Sequence, residues 1–210
     1  MTTFLKNCTA VILSGGENRR MPVLKAFIEV NGQKIIERNI RIMKGLFEDV
    51  SIVTNQPEAY AYLKVPMLGD VYDIRGPMTG IFTALLNSSK QWVFVSACDM
   101  PFISTDLINH MSTRRNGVEA VVPMLQGKAE PLFSFYSKRL LTSMEKAVLG
   151  DNKSLKDFLD MKRVQYIPTN QIKKFDPEAS SFINLNTPQD VGQYLDHKDI
   201  LRFKRKQKGG

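Results

Sequence analysis

The chain has 210 residues, 43% of them hydrophobic and 24% charged, a balance that suits one soluble domain with a core of ordinary size and excludes a disordered or fibrous chain. No apolar run approaches the roughly 20 residues that span a bilayer, and two cysteines, Cys8 and Cys98, give neither a disulfide framework nor a zinc site, so a reducing cytoplasm is expected. The formal charge of +8 suggests nucleic acid, but the stretch from Lys198 to Gly210 alone carries +5, which leaves +3 for the other 197 residues. That stretch has a single aromatic residue, Phe203, and reads as a disordered, solvated tail, so no nucleic-acid partner is expected.

In chain order, one lysine precedes the apolar run CTAVIL (8–13), and GGENRR follows it. That flank is a poor cleavage site, so the run reads as a first strand and not as a secretory signal. The pattern of QKIIERNIRIMKGLF (33–47) predicts a helix with Ile35, Ile36, Ile40, Met43 and Leu46 near one face. DVSIVT (49–54) predicts a strand, and KVPML (64–68) another, at an edge or a strand end because of Pro66. PMTGIFTALLNSS (77–89) reads as a helix with Pro77 in its first turn. WVFVSA (92–97) is apolar without alternation, as in a central parallel strand buried on both faces.

Ser104 signals the N-cap of a helix over 104–115. Strands are expected over 118–125, 130–136 and 162–168, with helices over 137–150, ended by Gly150, and 153–160. A last helix is expected over 187–197, with Thr187 as its cap and Pro188 in its first turn. The alternation predicts a single three-layer α/β domain with a mostly parallel sheet, over residues 1–197, and a tail over 198–210.

In open α/β sheets ligands lie outside the carboxyl ends of the strands. After the first strand comes Leu13-Ser14-Gly15-Gly16, where two glycines let backbone N–H groups face an anion and Arg19, Arg20 and Lys25 follow with positive charge. Gly-Gly is equally a plain turn, and neither a P-loop nor the G-x-G-x-x-G fingerprint is present. Asp99 follows a strand that has no acidic residue of its own. It can hold Mg²⁺ with water and phosphate oxygens, or it can cap the helix near Ser104 or fix the turn at Pro101. Cys98 reads as a small buried residue, and His110 and His197 are given no role.

The order LSGGENRRM, lysine, GD…RGPMTGI, SACDMPFI, AEPLFSFY, FINLNTPQD resembles the molybdenum cofactor guanylyltransferase (MobA) family from about residue 9 to residue 193. The family's opening motif, L-A-G-G-x-S-x-R-M-G-x-D-K, stands here as Leu13 to Lys25, with Pro22 in place of a glycine and Leu24 in place of an aspartate. The resemblance implies a three-layer Rossmann-like nucleotidyltransferase fold. It also implies transfer of GMP from GTP to the terminal phosphate of molybdopterin, with release of pyrophosphate. Leu13, Ser14, Gly15 and Gly16 match the nucleotide-binding segment, with Asn55 and Asp70 as further nucleotide contacts. Lys25, Asp99 and Arg20 match the catalytic set, with Asp99 on Mg²⁺.

Asn184 and Asn186 match an asparagine pair on the pterin side, though NLNTPQD also suits a helix-capping turn. The resemblance implies GTP and molybdopterin as ligands, and a molybdoenzyme or its chaperone as recipient. Two other readings stay open: a related transferase using CTP or a sugar phosphate, and a cofactor-binding protein whose turnover Pro22 and Leu24 have disabled.

Overall fold

The computed structural model describes residues 4–15, 25–30, 32–150, 154–185 and 190. Its core is a sheet of β1 (Cys8–Leu13), β4 (Asp49–Val53), β5 (Met67–Leu68), β6 (Trp92–Ala97), β7 (Ala120–Leu125), β8 (Lys128–Ala129), β9 (Phe133–Ser137) and β10 (Val164–Pro168). The order is β10-β7-β9-β6-β1-β4-β5, with β8 hairpinned onto β7. β2 (Glu29–Val30) and β3 (Gln33–Lys34) form a separate small hairpin. β1 pairs in parallel with β4 and β6, β4 with β5, and β7 with β10. β9 runs antiparallel between β6 and β7, so the sheet is mostly parallel with one reversed strand inserted.

Burial follows from the apolar strands. All six residues of β6 are buried, and Phe94, Phe133 and Phe135 pack ring against ring on one face, with centroids 5.1 Å (Phe94–Phe133) and 4.8 Å (Phe94–Phe135) apart. Each such ring contributes about 1.5–3 kcal/mol by leaving water. A one-residue slip of β9 against β6 would turn these rings to the other face, so burial fixes the register. α1 (Ile35–Leu46), α4 (Thr105–Ser112) and α7 (Thr169–Phe175) cover this face through Met43, Leu107, Met111 and Ile172. α3 (Pro77–Asn87), α5 (Leu141–Leu149) and α6 (Leu155–Asp160) cover the other through Phe82, Leu85, Met144 and Phe158. The three layers expected from the β-α alternation are present.

Several boundaries differ from the sequence reading. The helix expected from 33 begins at Ile35, because Gln33 and Lys34 pair with Glu29 and Val30. Leu46, expected on its buried face, is only partly buried. The strand over 64–68 shrinks to Met67–Leu68 at the sheet edge, with Pro66 just outside it. β6 is central, as expected, yet only one of its neighbours is parallel. The helix expected from 137 starts with a 3-10 turn over Lys138–Leu140, capped by the Ser137 hydroxyl.

β8, α7 and the short α2 (Pro57–Tyr60) were not expected. The β7–β8 turn places Gln126 and Gly127 at φ of 50° and 80°, the two-residue hairpin geometry that needs glycine or another residue tolerant of positive φ. Of the helix expected over 187–197 only Asp190 is described, and it is helical; the tail lies outside the described residues. Among the described residues no helix is long and apolar enough to cross a membrane.

Candidate active site at the carboxyl ends of the strands

From β1 the chain goes first to β4 and β5 on one side and later to β6 on the other. β1 is therefore the switch point, outside whose carboxyl end open α/β sheets bind their ligands. The exit of β1 is stitched to both neighbours. The Cys98 N–H donates to the Leu13 carbonyl at 3.0 Å, and the Ser14 N–H donates to the Val53 carbonyl at 2.8 Å. These backbone groups are thus used within the sheet, and Gly15 is the first residue beyond it. Leu13 turns its side chain onto α3, where a Cβ on Gly80 would stand 3.2 Å from Leu13 Cδ2. The glycine in PMTGI is a close-approach position.

Lys25 opens a 3-10 turn, Lys25–Phe27, and Asp99 lies just past β6. Their side chains meet beyond the strand ends, Nζ to Oδ2 at 3.7 Å, with 30% and 17% of their surface exposed. Burial pushes the Asp99 carboxyl above the ordinary carboxylate range, and the Lys25 ammonium pulls against that shift. Asp99 does not cap the next helix, because Ser104 Oγ accepts from the Leu107 N–H and takes that role. Its loop is held from two sides. The Asn39 amide donates to the Met100 carbonyl at 3.0 Å, and the Leu185 N–H donates to the Asp99 carbonyl at 3.1 Å. The second bond seats the exposed Asn184 next to the carboxylate's own loop.

On the other side of β1, Asn55 and Asp70 are joined twice. The Asn55 amide donates to Asp70 Oδ2 at 2.8 Å, and the Asp70 N–H donates to Asn55 Oδ1 at 3.0 Å. Asp70 Oδ1 is buried without a hydrogen-bond partner. Burial raises the Asp70 carboxyl, and the Asn55 bond opposes the rise. A buried acceptor left unpaired costs about 1–3 kcal/mol, which suits an oxygen kept for a donor arriving with a ligand.

The structure thus brings Leu13, Ser14, Gly15, Lys25, Asn55, Asp70, Asp99 and Asn184 to one edge of the sheet. Gly16, Arg19, Arg20, Pro22, Leu24 and Asn186 lie outside the described residues. His110 stacks on Phe175 with centroids 4.3 Å apart, a packing role. Burial pushes the Cys98 thiol up to about 11 and the Cys8 thiol to about 12, too high for nucleophiles at neutral pH. A cavity of about 360 Å³ opens elsewhere, lined by Lys44, Asp49, Lys64, Pro66, Asn87 and Ser88 among others, and includes none of these residues.

Sequence reasoning missed Tyr60, whose hydroxyl meets the Ser14 hydroxyl at 2.5 Å, because nothing local pairs residues 46 positions apart. Among the described residues no group of three or more His, Cys, Asp or Glu side chains could enclose a metal. A single carboxylate, Asp99, beside the Lys25 ammonium does fit Mg²⁺, which keeps several waters and takes its other ligands from substrate phosphates.

Residues 10–166 match the MobA-like NTP transferase domain. A probable molybdenum cofactor guanylyltransferase of Natranaerobius thermophilus is 35% identical over 193 residues, 89% of this chain and 94% of that protein. One from Peptoclostridium acidaminophilum is 33% identical over 193 residues, 89% of this chain and 87% of that protein. Among solved structures, molybdopterin-guanine dinucleotide biosynthesis protein A from Archaeoglobus fulgidus superposes with a TM-score of 0.77 at 26% identity, covering 88% of this chain and 95% of that one. The 4-diphosphocytidyl-2C-methyl-D-erythritol synthase of Anaerococcus prevotii, 18% identical with a TM-score of 0.65 over 90% of this chain and 96% of that one, shares the fold. The sheet order, the paired Lys25 and Asp99 at its switch point and these matches agree, and the chain belongs to the MobA-like molybdenum cofactor guanylyltransferase family of nucleotidyltransferases.

Proposed function

We propose that the protein transfers GMP from GTP to the terminal phosphate of molybdopterin and releases pyrophosphate. The observation that carries this reading is the approach of Lys25 to Asp99 at 3.7 Å above the switch point. An oxygen of the acceptor phosphate attacks the α-phosphorus of GTP. The bond from that phosphorus to the bridging oxygen breaks, and pyrophosphate leaves with the electron pair. The attacking group is already an anion, so the reaction needs no general base, in keeping with the packing role of His110.

The difficulty is like-charge repulsion, and cationic groups relieve it as the charge shifts. Lys25 is held against Asp99 before substrate arrives and exchanges one anionic partner for another when triphosphate binds. When bound, Mg²⁺ would be held by Asp99 with water and phosphate oxygens, and would neutralise charge on the triphosphate. Asn55 and Asp70 stand where they can receive the nucleotide's donors. Asn184, beside the Asp99 loop, serves the acceptor side. Two free thiols suit a cytoplasmic enzyme.

The deciding measurement is pyrophosphate release with molybdopterin and GTP or CTP, each with Mg²⁺. Release with GTP is expected. Release with CTP alone would move the chain to a cytidylyl transfer. No release from the wild-type protein, with release from a Pro22→Gly/Leu24→Asp double variant, would make it an impaired carrier.

A further inference from the structure

Tyr60 touches both sides of the segment between Gly15 and Lys25, through Ser14 and through Phe27. Its side chain is 2% exposed, at the end of α2. The hydroxyl is hydrogen-bonded to Ser14 Oγ at 2.5 Å. The ring packs on Phe27 with centroids 5.2 Å apart, in the 3-10 turn that Lys25 opens. Ile12, Ala26 and Ile36 belong to the same apolar cluster. Ser14 also opposes the rise that burial gives the Cys98 thiol, just past β6. One side chain from α2 therefore fixes the backbone that leaves β1 and the turn that presents Lys25.

We infer that Tyr60 is a positioning residue for nucleotide binding, setting the distance and orientation between the Gly15 backbone and the Lys25 ammonium through its hydroxyl and its ring respectively. This rests on the reading of Ser14, Gly15 and Lys25 as the phosphate-facing arm of the site. A buried tyrosine suits this role because it has two rotatable bonds, a large apolar face and one polar tip whose direction is fixed once the ring is packed. The hydroxyl bond is neutral to neutral, and its loss matters through the freedom it returns to Ser14. Placement errors of about 1 Å at such a site can cost about a hundredfold, so a loosening well short of that is still readable in binding and kinetics.

The experiment compares Tyr60→Phe, Ser14→Ala, their double variant and Tyr60→Leu in the full chain. Tyr60→Phe keeps the ring and removes only the hydroxyl. It should raise the Kd for GTP and the KM about fivefold and change kcat less than twofold, with Tm nearly unchanged. Ser14→Ala should add little in the Tyr60→Phe background, because both remove the same bond. Tyr60→Leu, which loosens the Lys25 arm as well, should also lower kcat. Hydrogen exchange supplies a readout independent of turnover: amides of Ser14–Gly15 and of the Lys25–Phe27 turn should exchange faster together in Tyr60→Leu. A lowered Tm in Tyr60→Phe with unchanged GTP affinity would make the bond merely structural and overturn the proposal. Unchanged exchange at both arms in Tyr60→Leu would also overturn it. If the wild-type protein released no pyrophosphate, the guanylyl-transfer reading would fall while the exchange data still decided the role of Tyr60.

Discussion

At Asp99, burial and charge pull in opposite directions, and burial is the larger effect. The folded state therefore holds the Asp99 proton more tightly than the unfolded chain does. The corresponding stability is fully present below the ordinary aspartate range and is lost as pH rises through the raised native value. Asp99→Asn should consequently raise Tm at pH 7, with the difference from wild type shrinking as pH falls toward the ordinary aspartate range. The same change should lower Mg²⁺-dependent turnover about a hundredfold or more. Thermal denaturation across pH, paired with pyrophosphate release, checks both halves. A lower Tm for the variant at pH 7 would mean that the Lys25 pair outweighs desolvation.

Lys25 holds the Asp99 value down, so Lys25→Met should move the acid limb of the kcat/KM profile to higher pH. It should also raise the KM for GTP and lower kcat. An unmoved acid limb would mean that the limb reports another group.

Two elements carry the site, and their packing can be probed without touching the reacting groups. α3 meets β1 through Gly80, where an added Cβ would sit 3.2 Å from Leu13 Cδ2. In Gly80→Ala the gain in helix propensity, up to about 1 kcal/mol, offsets much of that crowding. Gly80→Val adds a branched side chain against the same strand and should cost about 1–3 kcal/mol by overpacking. Urea denaturation of the two variants separates these effects, and equal stability would show that α3 yields easily. α4 is started by Ser104, whose hydroxyl accepts from Leu107 and donates to the Phe175 carbonyl at 3.0 Å. Ser104→Ala should cost about 1–2 kcal/mol, because it removes the cap and also the link to α7. A loss under 0.5 kcal/mol, roughly the bottom of the capping range, would show that neither bond matters.

At the scale of the whole molecule, net charge and catalysis are separable. Residues 198–210 carry +5 of the +8, and the family match covers residues 10–166. Deleting 198–210 should leave Tm and guanylyl transfer within experimental error while moving elution from a cation exchanger to lower salt. A large loss of turnover in the purified truncated protein would give the tail a catalytic part.

Much of this architecture is legible in the residue order, because the forces behind it are local. The period of 3.6 in Ile35–Leu46 says which face must leave water, and the unbroken apolar run Trp92–Ala97 says that both faces of its strand must. Pro77 and Ser104 mark helix starts through backbone groups within a turn of themselves. Motif order also names Lys25 and Asp99. It does not bring them together: they lie on separate loops, and their approach depends on β6 pairing with β1. The reversed strand β9 is equally non-local. Its apolar run would suit a parallel strand, and its place between β6 and β7 is set by pairing and ring packing with distant residues, Phe94 among them. Tyr60 and Gly80 reach Ser14 and Leu13 across long stretches of chain. Their roles come from packing between α2, α3 and the end of β1, an arrangement that exists only once the sheet has ordered its strands.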